Sequence, residues 1–148
     1  MTDSGVSFEA TRRVRDTCLC LHAQRAARTL ARRFDEALRP YGLTNGQFSL
    51  LMTLNAAQPP TVGHVAALLG ADRTTLTAAL KPLIRRGLAE VRSDADDRRL
   101  RRLALTQAGR AALGAALPAW EAAHAALERD LAGDPARLRA ELSALSAP

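Results

Sequence analysis

The 148-residue sequence is poor in the residue types that carry chemistry. Aromatic residues make up only 3% of it, with one Trp, one Tyr and three Phe. The two cysteines, Cys18 and Cys20, give no disulfide framework, so a reducing, cytoplasmic setting is expected. Two positions apart on a continuous helix, they would face nearly opposite ways and could not bridge without breaking it. No stretch approaches the roughly 18 apolar residues of a membrane span. The opening MTDSGVSFEATRRVRD has no apolar core for a signal peptide. His22, His64 and His124 are scattered one per helical segment, in no metal-ligand spacing. Cys18-x-Cys20 with His22 is too compact for a closed tetrahedral site on one helix. Glycine-rich phosphate loops, nucleophile elbows and paired carboxylates are missing as well. These absences argue against an enzyme: no catalytic residue, metal or cofactor is expected.

What is present is helix-forming and basic. Hydrophobic residues reach 47%, mostly Ala and Leu, both strong helix formers. The length suits one domain with its own core. The net charge is +6, and its placement matters more than its size. Residues 40–71 carry no Asp, Glu, Lys or Arg, whereas residues 72–102 carry nine basic groups against five acids. A basic block beside a neutral helical one is the footprint of a phosphate-binding surface. Twenty of the 21 basic residues are Arg, which also reflects the Arg- and Ala-rich usage of a GC-rich genome.

Along the chain, residues 1–10 read as a frayed start and 11–39 as one long helix. Val14, Cys18 and Leu21 form one apolar stripe on it, and Cys20, Ala27, Leu30, Phe34 and Leu38 a second. A helix with two apolar faces needs two covers, and a second subunit is a natural source of one. Thr44 and Gln47 form a capping box for a helix with Phe48, Leu51, Met52 and Leu54 inward. Thr61 caps a short helix bearing Val62, Val65, Ala66 and Leu69. After the Gly70-Ala71 turn, Asp72 caps a helix with Leu76, Leu80, Leu83 and Ile84 inward. Pro82 predicts a kink there. Leu88–Arg92 and Leu100–Leu105 read as a hairpin around a polar tip at 93–99. Thr106 caps a last long helix, bent near Pro118. Gly133-Asp134-Pro135 then starts a short helix with Leu138, Leu142 and Leu145.

A short helix (61–69), a tight turn, a second helix (72–86) and a basic hairpin (88–105) make a winged helix-turn-helix. The fold class expected is mainly α with a small two-stranded β-wing, the N- and C-terminal helices forming a dimerisation region. The second helix of such a motif enters the major groove and leads with its N-terminal residues. Its outward face holds Arg73, Thr74, Thr77, Ala78, Lys81 and Arg85, with Thr75 beside them. Small hydroxyls and a methyl between cations suit base edges and phosphates together.

Asp72-Arg73-Thr74-Thr75-Leu76-Thr77 resembles the start of the recognition helix in the MarR family of transcriptional regulators. Asp97-Arg98-Arg99, followed after five residues by Leu105-Thr106, resembles that family's wing signature. Leu43-Thr44, Gln47-Phe48 and Gly109 also fit, and the resemblance covers roughly residues 16–132. It implies a single unit over 1–148, with dimerisation helices at 11–40 and 107–148 and a winged DNA-binding region at 43–106. It also implies a homodimer on a near-palindromic operator in double-stranded DNA, usually as a repressor. By position, Asp97 would pair with Arg99 and orient the wing, and Arg98 or Arg99 would enter the minor groove. Arg101, Arg102 and Arg92 are candidates for phosphates.

Many members release DNA when a small molecule binds between the dimer helices and the winged region. The corresponding lining here is His22, Arg25, Phe48 and Trp120, which suits a small aromatic or acidic effector. Two alternatives stand beside this one. Cys20 falls where peroxide-sensing members carry their reactive cysteine, and Arg25 nearby would lower a thiol pKa. The tyrosines that serve that cysteine are replaced by Gln24 and Phe34. The other alternative is a winged domain that assembles proteins and binds no DNA.

Overall fold

The computed structural model describes residues 5–146. In chain order it has α1 (Phe8–Thr17), α2 (Leu19–Leu38), a 3₁₀ turn (Arg39–Tyr41), α3 (Asn45–Leu54), α4 (Val62–Leu69) and α5 (Arg73–Arg85). There follow strands β1 (Ala89–Ser93) and β2 (Arg101–Leu105), then α6 (Gln107–Asp130) and α7 (Pro135–Ser146). The strands pair antiparallel, from Ala89 opposite Leu105 to Ser93 opposite Arg101. Residues 1–4 and 147–148 of the expected single unit lie outside the described residues.

The caps read from the sequence are in place. Thr44 and Gln47 form a reciprocal capping box, and Thr61, Asp72 and Thr106 each accept an N–H from the first turn they open. The single helix expected over 11–39 is two. It breaks at Cys18, which is extended (φ −71°, ψ 107°) and whose Sγ accepts the Leu21 N–H at 3.5 Å. The start expected to fray is helical from Phe8, with Ser7 as cap. The two cysteines therefore do not share a continuous helix.

Neither internal proline ends its helix: α5 and α6 continue through Pro82 and Pro118. Each proline deprives one carbonyl of its donor, at Ala78 and Gly114. Both of those residues are exposed, so water can satisfy the orphaned oxygen.

The core is a cluster of leucines around α3, α5 and the hairpin: Leu38, Leu51, Leu54, Leu76, Leu83, Leu103, with Val65 and Phe48. Three residues expected inward are not buried. Met52 is 41% exposed, Leu69 37% and Ile84 38%, whereas Leu50 is buried at 2%. α3 is short and packed by α2, α4, α6 and β2, so its buried face is wider than a single stripe. α3, inside the 40–71 stretch without charge, is thus the packed hub that positions α5 and the hairpin.

The outer helices look different. α1 and α7 bury no residue within the chain. Phe8, Val14, Leu19, Leu142 and Leu145 stand open to solvent. Of the two stripes expected on the long helix, only Phe34 and Leu38 are buried in the chain; Cys20 and Ala27 are exposed.

Candidate nucleic-acid interface

Asp72 starts α5 and sets its direction. Its carboxylate accepts the Thr75 N–H at 2.7 Å and the Thr75 hydroxyl at 3.0 Å. The Thr75 backbone bond, then its hydroxyl, hold this carboxyl below the ordinary aspartate range. A negative cap at a helix N-terminus is also favoured by the helix dipole. Thr75 was a candidate for DNA contact, but its hydroxyl is committed to the cap. Thr77 donates to the Arg73 carbonyl at 2.8 Å, leaving its oxygen lone pairs and methyl on the surface.

Arg73, Thr74, Thr77, Ala78 and Lys81 line one continuous groove along the exposed face of α5. Arg85 lies exposed one turn further on. The side chains of Arg73, Lys81 and Arg85 make no hydrogen bond or ion pair among the described residues. The inner face of the same helix is locked by Leu76, Leu80 and Leu83. The helix therefore presents three uncommitted cations and small side chains from a rigid support.

The wing is built by two aspartates. Asp97 Oδ1 accepts the Arg99 N–H at 2.9 Å and lies 3.4 Å from Arg99 Nε. This pair is solvent-exposed, Arg99 at 93%, so it shapes the turn and adds little stability. Asp94 is the deeper anchor, its side chain only 10% exposed. It accepts the Asp96 and Asp97 N–H groups at 3.0 and 2.9 Å and pairs with Arg102 Nε. Arg102, chiefly, and then those two N–H groups hold the Asp94 carboxyl below its usual range. Arg102 also donates to the Pro59 carbonyl at 2.8 Å, and the Leu103 N–H to Pro60 at 2.9 Å. The hairpin is thereby tied to the segment that leads into α4.

Two arginines considered for phosphates are consequently occupied within the hairpin: Arg102 by Asp94, and Arg92 by Glu90, with Nε 2.7 Å from Oε1. Arg101 donates to Ser93 Oγ at 3.0 Å. Arg98, at the tip, is exposed and makes no such bond among the described residues. The Asp94–Arg102 anchor was missed from the sequence, where the wing signature points to Asp97 and nothing marks Asp94; the chain path decides which aspartate turns inward.

The effector candidates do not gather in one place. Phe48 and Trp120 line an open cleft of about 310 Å³, with Ser49, Met52, Thr53, Leu69 and Leu117. His22 and Arg25 do not line it. They sit on the exposed N-terminal half of α2, with His22 Nδ1 2.8 Å from the Cys18 carbonyl. Instead His124 joins the aromatic group: it stacks on Trp120 at 4.8 Å, and Trp120 lies 6.0 Å from Phe48 and 6.1 Å from Phe34. The i, i+4 spacing of Trp120 and His124 was the sequence signal for this. His124 Nδ1 lies 3.8 Å from Glu128, which also pairs with Arg139 of α7 at 2.6 Å. Cys20 is exposed, and Gln24 Nε2 donates to its sulfur at 3.3 Å.

Residues 41–100, which carry α3 to the wing tip, match the MarR family model. Over 87% of its length the chain is 41% identical to the M. tuberculosis transcriptional regulator MosR, solved in complex with DNA, and covers 93% of that chain with a TM-score of 0.79. The chain belongs to the MarR family. CouR from Rhodococcus jostii RHA1, solved with p-coumaroyl-CoA, is 26% identical over 90% of this chain and 94% of that one, TM-score 0.75. An uncharacterised HTH-type transcriptional regulator of Bacillus subtilis, YwoH, is 30% identical over 82 residues, 55% of this chain and 59% of that protein's length. The fold and family are those of transcriptional regulators, which are not enzymes. Among the described residues, no helix is long and apolar enough to cross a membrane.

Proposed function

We infer that this MarR-family protein is a cytoplasmic, sequence-specific DNA-binding transcriptional regulator. It acts as a homodimer on a near-palindromic operator, as a repressor released by a small effector. One observation carries the reading. The exposed face of α5 and the wing tip present uncommitted cations, while Asp72, Asp94 and Asp97 are turned toward backbone N–H groups or an arginine. α5 enters the major groove, with Thr74, Thr77 and Ala78 toward base edges and Arg73, Lys81 and Arg85 toward phosphates. Arg98 and Arg99 reach the minor groove from the wing, and Arg101 the adjoining backbone. The exposed apolar faces of α1, α2 and α7 supply the dimer contact. The domain division follows: 11–40 and 107–148 dimerise, 43–106 binds DNA. The Phe48–Trp120 cleft takes an apolar, aromatic effector. The relative CouR, solved with an aromatic acyl thioester, supports that class.

The test is fluorescence anisotropy with a labelled duplex from the gene's own upstream region against a random duplex. A clear preference at moderate salt is expected, with a log–log salt slope of about −0.9 per phosphate contact. Equal affinity for both duplexes would remove the reading. A winged domain that only assembles proteins would show no change in DNA binding when Arg98 and Arg99 are both replaced by alanine.

A further inference from the structure

Gly63 occupies the first turn of α4, where glycine weakens a helix relative to alanine. Its backbone does not call for glycine: the positive-φ glycines are Gly42, Gly70 and Gly87. The reason lies outside the helix. A Cβ on Gly63 would stand 3.2 Å from Nη2 of Arg73, the first residue of α5. The end of the guanidinium lies close over the bare backbone of α4, where an added Cβ would make it give by a few tenths of an ångström.

That place is the floor of a cleft of about 330 Å³ between the helix-turn-helix and the wing. Thr61 to Gly63 form one wall, Arg73 and Thr77 a second, and Arg99 to Arg101 the third. Three arginines converge on it, and no acid is among its lining residues. Arg73 has no competing acceptor among the described residues. A planar guanidinium with no competing partner suits bidentate phosphate binding.

We propose that Gly63 is a positioning residue for DNA binding: its missing side chain seats Arg73 in the helix–wing cleft, where Arg73 takes a backbone phosphate. This rests on the DNA-binding reading above and assigns one contact within it. A side chain at position 63 makes the guanidinium give way, by a few tenths of an ångström for a lone Cβ and by more for a longer side chain.

The experiment compares the full-length protein with Gly63→Leu, Arg73→Ala and the double variant. Each is titrated onto the labelled upstream duplex between about 50 and 200 mM salt. One phosphate contact changes affinity about 3.5-fold over that range, so two per dimer change it about twelvefold. Gly63→Leu and Arg73→Ala are each expected to flatten the salt slope by about 1.8, and the double variant to lose no more than either. A purely structural role for Gly63 would lower affinity and leave the slope alone. Gly63→Leu with the parent's slope, or a double variant that loses the product of both single losses, overturns the proposal. Should Gly63→Leu fail to fold, Gly63→Ala decides. Alanine favours the helix, so this variant should unfold no earlier than the parent, yet bind DNA about two- to threefold more weakly with a flatter slope. Parent-like binding by Gly63→Ala would then overturn the proposal. If the parent itself does not prefer its own duplex over random DNA, it is the DNA-binding reading that fails.

Discussion

Replacing Gly109 by alanine tests how α6 joins the winged region. A Cβ there would stand 2.1 Å from the Leu88 carbonyl oxygen and 2.8 Å from Leu105 Cδ1. An ordinary carbon–oxygen approach is about 3.3 Å, so α6 must retreat by roughly 1 Å. The obstacle is backbone at the base of the hairpin and cannot rotate away. Retreat stretches the 3.2 Å bond from the Thr106 N–H to Leu88 and the 2.6 Å bond from its hydroxyl to Gly87. Each is worth about 1 kcal/mol, and overpacking adds about 2 kcal/mol. Better helix propensity returns up to about 1 kcal/mol. The net loss is about 3 kcal/mol, which at this chain length lowers the thermal midpoint by about 6–12 °C. Calorimetry at matched protomer concentration reads it, because a dimer's midpoint depends on concentration. Gly114→Ala, on the same helix with nothing within 4 Å of the added Cβ, is the control and should be neutral or stabilising. A Gly109→Ala protein that melts at or above the parent's midpoint would refute the close packing of α6 on the hairpin.

Acid should loosen the α5 cap and the wing together. Asp72 and Asp94 both have folded-state pKa values below the ordinary 3.8, so their contribution is present above that value and lost as pH falls through the depressed ones. Asp72→Asn and Asp94→Asn should therefore show a shallower acid limb below about pH 4 in circular-dichroism titrations; unchanged limbs would contradict the assigned hydrogen bonds. Arg98→Ala with Arg99→Ala should weaken operator binding by about tenfold or more, since both minor-groove cations of each wing are lost, with the melting temperature held. Trp120 is the only tryptophan, so its emission should change when an aromatic acid or acyl thioester enters the cleft, and Met52→Phe, which narrows the cleft without adding a second tryptophan, should weaken that response. On titration with hydroperoxide the parent should stay on DNA; release by the parent that Cys20→Ser abolishes would restore the thiol reading.

Much of the fold was legible because helix caps and apolar spacing are local. Thr44, Thr61, Asp72 and Thr106 each announce a helix within a few residues, and the turn at Gly70 has the left-handed backbone that glycine accepts without strain (φ 62°). The break at Cys18 was not legible: nothing in Val14–Leu21 is a helix breaker, and a cysteine sulfur is a weak cap. The cleft was half legible. Phe48 and Trp120 do line it, but His22 and Arg25, expected from the family's geometry, do not. That assignment needs α2 to face the cleft along its whole length, whereas only its C-terminal half packs on α6 through Phe34.

The wing shows why residue type alone does not identify an interface. Five arginines lie between 92 and 102, and by composition all are equal candidates for phosphate. Whether one is available depends on which acids the backbone turns toward it. Strand alternation sends Arg92 beside Glu90, and the tip's two nested turns aim Asp94 inward at Arg102 and Asp97 outward at Arg99. Arg102 is then two-thirds buried and bonded to Pro59, so replacing it unties the wing from α4 rather than removing a DNA contact. An Arg102→Ala protein should lose thermal stability and affinity together. Arg98→Ala should lose affinity alone, and the two variants separate the wing's scaffold from its reading edge.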